Sequence, residues 1–317
     1  MVVLEERDGS ATCELSVVVP VYGCADCLGA LHERLTRTLE TVTPDFEIVL
    51  VEDGGSDGSW EVIERLVDED ARVRGFRLSR NFGQHAAITA GLAQSRGDWT
   101  VVMDCDLQDP AEEIPRLYAK ATEGYEVVFG VRREKRAGLA RRLLARAYFW
   151  SLRTFAGSRF EGQWGTFSIL SRKVVRGFLQ FRDNDRHYLL ILQWLGFRTA
   201  AIEYQPADRF AGKSSYTFRA LLKHAADGMF FQTTILLKWI VYVGFLLAAA
   251  GVLTALFLGT SMAVFTLTIG GLIIISTGIT GLYIGKVFEQ VKGRPLYLID
   301  EVRDRIEARE PDRQYSP

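Results

Sequence analysis

The densest acidic cluster in the chain is Met103-Asp104-Cys105-Asp106-Leu107-Gln108-Asp109-Pro110. It follows Trp99-Thr-Val-Val-Met103, a short apolar run that reads as a strand. Alternate residues of an extended segment point the same way, so Asp104 and Asp106 can aim at one point at the strand end. Hard oxygen ligands at that spacing suit Mg²⁺ or Mn²⁺, usually shared with substrate phosphates. Asp109-Pro110 also fits the cap and first residue of the next helix. The two readings hold together, with Asp109 the better cap and Asp104 and Asp106 the better metal candidates. A second cluster, Val51-Glu52-Asp53-Gly54-Gly55-Ser56-Asp57-Gly58-Ser59, ends another apolar run. Acidic residues followed by a glycine-rich turn into a helix make a nucleotide-site candidate. Neither G-x-G-x-x-G nor a P-loop lysine is present. Helix capping accounts for Asp57 and Ser59 but not for Glu52 and Asp53.

The elements that must position these clusters alternate. Leu15 to Val21, Phe46 to Val51, Trp99 to Met103 and Glu126 to Phe129 read as strands. Cys27 to Leu39, Ser59 to Ala71 and Gln84 to Ser95 read as helices between them. Such alternation implies an α/β domain with a mostly parallel sheet, whose ligand crevice lies at the carboxyl ends of the strands. Both acidic clusters fall there. The chain has 317 residues, 48% hydrophobic and 24% charged, enough for roughly two domains of about 150 residues each. A formal net charge of −1 gives no support to nucleic-acid binding through bulk positive charge. Of the four cysteines, Cys13, Cys24, Cys27 and Cys105, Cys24 and Cys27 form a lone C-x-x-C, short of a four-ligand zinc site; a redox pair is open, and two small residues in a reduced cytosol is the preferred reading.

The mean hydropathy of +0.06 is high for a soluble protein, and the excess is local. Residues 236–258 contain one charge, Lys238, and residues 264–285 contain none. Each run exceeds the roughly 20 apolar residues that span a bilayer as a helix. A short loop without Lys or Arg joins them, so they read as a transmembrane hairpin with both ends on one side. Lys286, Lys292, Arg294, Arg303, Arg305 and Arg309 then place the tail and the catalytic half in the cytoplasm, by the positive-inside rule. Residues 139–156 mix Arg141, Arg142, Arg146 and Arg153 with Leu, Tyr, Phe and Trp, which suits a helix lying on an anionic leaflet. The division expected is a cytoplasmic domain over 1–230, two membrane helices within 231–290 and a cytoplasmic tail over 291–317.

Taken together, Val17-Val-Val-Pro-Val-Tyr22, Glu52-Asp53-Gly-Gly-Ser-Asp57, Leu78-Ser-Arg-Asn-Phe-Gly83 and Asp104-Cys-Asp-Leu-Gln-Asp-Pro110 resemble glycosyltransferase family 2. The resemblance continues through Arg209-Phe-Ala-Gly-Lys-Ser-Ser-Tyr216 and the two-span tail, and is strongest to the polyprenyl-phosphate sugar synthases. It implies a GT-A (Rossmann-like) fold and inverting transfer of a sugar from a nucleotide sugar, on family habit UDP-linked, to polyprenyl (undecaprenyl) phosphate. By resemblance, Pro20, Tyr22, Glu52 and Asp53 hold the nucleotide, and Arg80, Asn81 and Gln84 line the donor pocket. Asp104 and Asp106 meet the metal and diphosphate, with Gln108 and Asp109 near the sugar. Arg209 and Lys213, supported by Ser214 and Tyr216, receive the lipid phosphate. A lipid phosphate is already largely ionised near neutral pH, since such groups have a second pKa of roughly 6. It needs little help from a base, for which Asp106 and Asp109 are the nearest candidates. The same resemblance implies a multi-pass protein of the inner (plasma) membrane, acting on membrane lipid for cell-envelope glycan or lipid modification. It leaves room for a homo-oligomer and a flippase partner, which no residue pattern here carries.

The chain departs from the family pattern at Gly23-Cys24, at Gly165-Thr166-Phe167-Ser168 and at Lys213, two places before the usual lysine. The second departure loses a carboxylate and a guanidinium, which motivates an alternative: a catalytically inactive relative that binds lipid or a partner. Trp194 reads as core, and His85 as a packed or capping histidine.

Overall fold

A computed structural model of the chain describes residues 13–133, 164–183, 186–207 and 262–305. The expected interfacial helix at 139–156, the first predicted span at 236–258, Arg209, Lys213, Ser214 and Tyr216 lie outside the described residues, as does the tail beyond 305.

The chain divides into two units. The first takes in residues 1–135, 163–212 and 295–317. In it β1 (Cys13–Val21), α1 (Ala25–Leu39), β2 (Phe46–Glu52), α2 (Ser59–Glu69), β3 (Val73–Leu78), α3 (Gln84–Gln94) and β4 (Gly97–Val102) run in strict alternation. A 3₁₀ turn (Ala111–Glu113) leads into α4 (Ile114–Thr122) and β5 (Val127–Arg132). Then come β6 (Trp164–Ser171), α5 (Arg172–Leu179), α6 (Tyr188–Trp194) and β7 (Thr199–Tyr204). The sheet order is β7-β5-β6-β4-β1-β2-β3, with an eighth strand, β8 (Ile299–Arg303), on the far edge.

The centre of the sheet, β4-β1-β2-β3, is parallel; β6 runs antiparallel to both β4 and β5, and β8 antiparallel to β3. β1 and β2 are buried along almost their whole length, as strands covered on both faces must be, which is why they read as unbroken apolar runs. Pro20 lies in β1 beyond its last pair with β4, Val18 with Val102, so its missing N–H breaks no ladder bond on that side. α1 buries Leu28, Leu31, Leu35 and Leu39, at the spacing of one helix face.

β3 and β8 were not expected. β3 reads Val-Arg-Gly-Phe-Arg-Leu, and its Arg74 is buried with its side chain 2% exposed. A buried guanidinium persists only when paired. Arg74 Nη1 donates to Glu47 Oε2 (2.9 Å) and to the Gln94 carbonyl (2.6 Å), and Nε donates to Asp304 Oδ2 (2.7 Å). Arg96 also reaches Asp304, at 3.1 Å, and Ser16 donates to Glu47 at 2.6 Å. Asp304 immediately follows β8, so residues assigned from sequence to a tail complete both the sheet and its buried ion network.

Three smaller readings are corrected. Trp194 is 76% exposed, packed edge-on against Phe181 and not in the core. Asp109 caps no helix: the 3₁₀ turn begins after Pro110 without a side-chain cap. Cys24 is disulfide-bonded to Cys105, with Cα atoms 6.4 Å apart, while Cys13 and Cys27 stay free.

The second unit takes in residues 136–162 and 213–294, and its described part includes the 30-residue helix α7 (Met262–Val291). At about 1.5 Å per residue α7 is roughly 45 Å long, and it carries the whole of the run 264–285. Several of its side chains lie outside the described residues. Among the described residues no helix is long and apolar enough to cross a membrane, so the predicted hairpin has no support at this level.

Candidate active site

The parallel strands end their carboxyl sides in three loops that carry most of the predicted residues. β1 is followed by Tyr22, which is 60% exposed. β2 ends at Glu52 and is followed by Asp53, both buried. β4 is followed by buried Met103, and beyond it Asp104, Asp106 and Gln108 are half-buried while Cys105, Leu107 and Asp109 are buried. That alternation matches the expected common direction of Asp104 and Asp106, although the segment turns instead of extending. Leu107 stands at φ 61°, a left-handed backbone that a leucine adopts at a cost of order 1–3 kcal/mol. Asp106 Oδ1 accepts the Gln108 N–H at 3.1 Å across this turn.

Asp53 organises the donor-side loops. Its two oxygens accept the Phe82 N–H (2.7 Å) and the Gly83 N–H (2.9 Å), fixing the turn that presents Arg80, Asn81 and Gln84. Burial raises its pKa, an effect these amides and Arg80 partly offset. Glu52 Oε1 accepts the Gly55 N–H, and Arg77 Nε stands 3.4 Å from Oε2. Burial again pushes its pKa up against those partners. Asp57 accepts from Ala25 N–H (3.1 Å) and from Ser59 Oγ (2.7 Å), joining the loops after β1 and β2, while the cap position of α2 is Gly58, without a side-chain cap bond, and not Asp57 or Ser59 as expected. Arg80 is exposed and lies over the Phe82 ring, 4.1 Å from its centre. No hydrogen bond links Tyr22 or Asn81 to the acidic residues among the described contacts.

Gly54 is where these loops meet. It has φ +61°, and a Cβ there would lie 2.6 Å from Arg80 Cα and closer still to the Arg80–Asn81 peptide. Gly54→Ala is expected to displace the Arg80–Gln84 turn and cost about 2 kcal/mol or more of stability. Urea unfolding and nucleotide affinity should both register it. An unchanged affinity would show that the turn does not serve the donor.

Asp104 sits between α3 and β6. Its Oδ1 accepts Gln84 Nε2 at 2.7 Å and Thr166 Oγ1 at 2.9 Å. Burial and then the charge of Asp109 push its pKa up to about 6, against the Thr166 hydrogen bond. Asp109 is buried, and its Oδ1 accepts Arg132 Nη2 (2.8 Å), Arg132 Nε (3.1 Å) and the Tyr204 hydroxyl. Arg132 Nη1 also stands 3.4 Å from Gln108 Oε1. Asp109 therefore holds Arg132 and Tyr204 at the edge of the acidic loop. Thr166, Arg132 and Tyr204 were not predicted. The first belongs to the stretch noted only as a departure, and the other two are single residues with no surrounding motif.

His85 follows Gln84 and stacks on His187 with ring centres 4.7 Å apart, the packed role expected for it. The Ala207 N–H donates to the Gln108 carbonyl at 3.0 Å. The chain thus leaves the described residues from beside the acidic loop, two positions before Arg209.

The donor set fits a divalent cation of the Mg²⁺ or Mn²⁺ kind. Burial first, and then the charge of Asp109, raise the Asp104 pKa, a stress that positive charge relieves, and such ions take their remaining ligands from water and phosphate. Among the described residues no group of three or more His, Cys, Asp or Glu is placed to hold a metal ion by itself.

A mixed sheet whose parallel strands end in acidic and glycine-rich loops defines an α/β protein built to hold an anionic nucleotide at that edge. The model of the family described as "Glycosyl transferase family 2" matches residues 16–179, and the chain belongs to that family. Its sheet is of the GT-A type. Undecaprenyl-phosphate 4-deoxy-4-formamido-L-arabinose transferase of Proteus mirabilis is 35% identical over 307 residues, covering 91% of this chain and 94% of its own. An uncharacterized glycosyltransferase of Bacillus subtilis is 31% identical over 302 residues, covering 91% and 94%. Among solved structures, glucosyl-3-phosphoglycerate synthase from Mycobacterium tuberculosis, in complex with Mn²⁺, uridine diphosphate and phosphoglyceric acid, aligns with a TM-score of 0.48 at 18% identity. It covers 72% of this chain and 78% of that one.

Proposed function

We propose that the protein transfers a sugar from a nucleotide sugar, UDP-linked, to polyprenyl phosphate, with inversion at the sugar carbon. The observation that carries this reading is the Asp104–Asp109 loop. It sets two half-buried carboxylates at the carboxyl end of β4 and bonds through Gln108 to the chain just ahead of Arg209 and Lys213. The named function of the Proteus relative, over most of both chains, supports the same reaction class.

In this reading Tyr22, Glu52, Asp53 and the Arg80–Gln84 turn form the nucleoside and donor walls. Asp104 and Asp106 would hold a divalent cation, which neutralises the charge that develops on the departing diphosphate. Gln84 and Thr166 fix the Asp104 carboxylate, so little reorganisation is needed when the donor arrives. Asp109 keeps Arg132 at the sugar side, and Arg209 and Lys213 receive the lipid phosphate. That phosphate carries its own negative charge, so attack on the sugar carbon requires alignment more than deprotonation. Asp109 holds Arg132 and Tyr204 through Oδ1 alone, and its buried Oδ2 carries no hydrogen bond, so Asp106 and Asp109 both stay candidates for a base.

We read residues 236–258 and 264–285 as the membrane anchor from the sequence, on their nearly uncharged apolar runs and the basic residues that follow. The acceptor then lies in the leaflet beside the catalytic unit, and a flippase partner would carry the product across.

The test is transfer by detergent-solubilised protein, with Mn²⁺ or Mg²⁺, from a panel of UDP- and GDP-sugars to undecaprenyl phosphate. Glycolipid is read by mass spectrometry, with Asp106→Ala as control. One donor should give a lipid product that the variant makes at least about 100 times more slowly. Nucleotide binding with no product from any donor would favour the inactive relative that Gly165-Thr166-Phe167-Ser168 raised.

A further inference from the structure

We propose that Cys24 and Cys105 are a site of reversible oxidation whose disulfide clamps the acidic loop, so that the redox state of the compartment sets how firmly the site holds its cation. The inference rests on the reading of Asp104 and Asp106 given above.

The pair joins residues 81 positions apart, across the carboxyl ends of two adjacent parallel strands. Cys24 is the residue before α1, two places after exposed Tyr22. Cys105 stands between the two metal candidates, and its side chain is buried on the side away from them. Oxidation therefore ties the loop to the start of α1 without touching either carboxylate. Side-chain bonds hold the loop at its ends, Asp104 by Gln84 and Thr166 and Asp109 by Arg132 and Tyr204, and the disulfide adds its tie in the middle of the turn. Leu107 keeps a left-handed backbone, which persists only where its surroundings over-determine it. The Gln108 amide and carbonyl each make one bond. Removing the tether lets this turn relax and the two carboxylates drift apart.

The chemistry is a thiol–disulfide exchange. Cys24 and Cys105 give up two electrons and two protons to a low-molecular-weight disulfide, which leaves as two thiols while the protein S–S bond forms. Cys24 is itself buried, 7% exposed, but Gly23 and Tyr22 beside it are exposed, so an exchange partner approaches the pair from that side. Cys27, in the first turn of α1, does not compete: it is free and buried, and Cys24 is the cysteine that reaches Cys105. Cys13 is disfavoured too, its thiol pKa raised to about 12 by burial and by Glu47. A catalytic unit facing the cytosol meets a reducing pool, so this disulfide is a labile switch there and not a permanent staple.

The full chain in detergent should be equilibrated with oxidised or reduced glutathione, blocked with iodoacetamide and digested. The oxidised sample should yield a peptide linked through Cys24 and Cys105, with Cys13 and Cys27 alkylated. Amide exchange at 105–109 should be about tenfold slower than in the reduced sample, and slow exchange should be lost in Cys24→Ser whatever the buffer. Mn²⁺, titrated alone, should bind several-fold more tightly to the oxidised form. Alkylation of both Cys24 and Cys105 in the oxidised sample would overturn the proposal, as would equal exchange in the two states or equal Mn²⁺ affinity. Failure of Mn²⁺ to bind either form, with the disulfide mapped and the loop slowed, would instead count against the metal-dependent reading and against the functional half of the switch, leaving only the tether.

Discussion

Asp104→Asn is expected to raise the melting temperature of the metal-free protein by roughly 3–6 °C while lowering sugar transfer at least about 100-fold. The asparagine oxygen can still accept from Gln84 and Thr166, so the geometry is retained and only the charge is lost. A carboxyl group whose folded pKa is about 6 binds its proton more tightly in the native state than in the unfolded chain. Its contribution to stability is complete below the unfolded value near pH 4 and is lost as pH rises through about 6. At pH 7 the ionised group costs about 1–2 kcal/mol, a figure reduced for its partial exposure to water. The advantage of Asp104→Asn should therefore grow between pH 4 and pH 7. Mn²⁺ should reverse the order, stabilising the natural protein and leaving the variant unmoved. Equal melting temperatures across that range would mean that Asp104 is not under electrostatic stress. A functional group that destabilises the empty site is the expected cost of a site shaped for a cation.

Arg74→Leu carries the largest expected loss of stability, about 3–5 kcal/mol by urea unfolding. It removes the cation that buried Glu47 and Asp304 share, leaving Asp304 with Arg96 alone and Glu47 with no guanidinium. Adding Asp304→Asn should recover part of the loss, because one under-paired charge is removed; the two substitutions share a partner and will not be additive. Amide protection across β8 should fall in the single variant well before the central strands open. If Arg74→Leu costs under about 1 kcal/mol, the network contributes little and β8 is held by its backbone pairing alone.

The central strands and the acidic loops were legible because burial on both faces leaves an unbroken apolar run, and each run ends in Asp, Glu or Gly. Asp104, Asp106, Glu52 and Asp53 could be assigned to strand ends on that basis alone. β3 was not legible: two arginines and a glycine contradict a buried strand until Asp304, 230 positions away, supplies the missing charge. Arg132, Thr166 and Tyr204 escaped for a related reason. Their value lies in contacts with Asp104 and Asp109 across strands, and nothing local marks them. The partner of Cys24 was hidden likewise, since the nearby Cys27 is the obvious candidate and Cys105 is the one the fold delivers. Trp194 was misjudged because a large aromatic ring carries no sign of which way its helix faces.

The position of β8 also governs when this sheet can be finished. During synthesis residues 13–207 emerge with β3 exposed along one edge and Arg74 lacking one of its two carboxylates. The strand that closes this edge lies after α7, nearly a hundred residues later. A nascent chain must therefore keep an open strand edge in check, the kind of edge that invites pairing with neighbouring chains, until residues 299–303 leave the ribosome. Messages cut short between residues 207 and 299 would release a domain with its catalytic loops in place and its flank unguarded. Such fragments should accumulate as aggregates and not as a soluble enzyme.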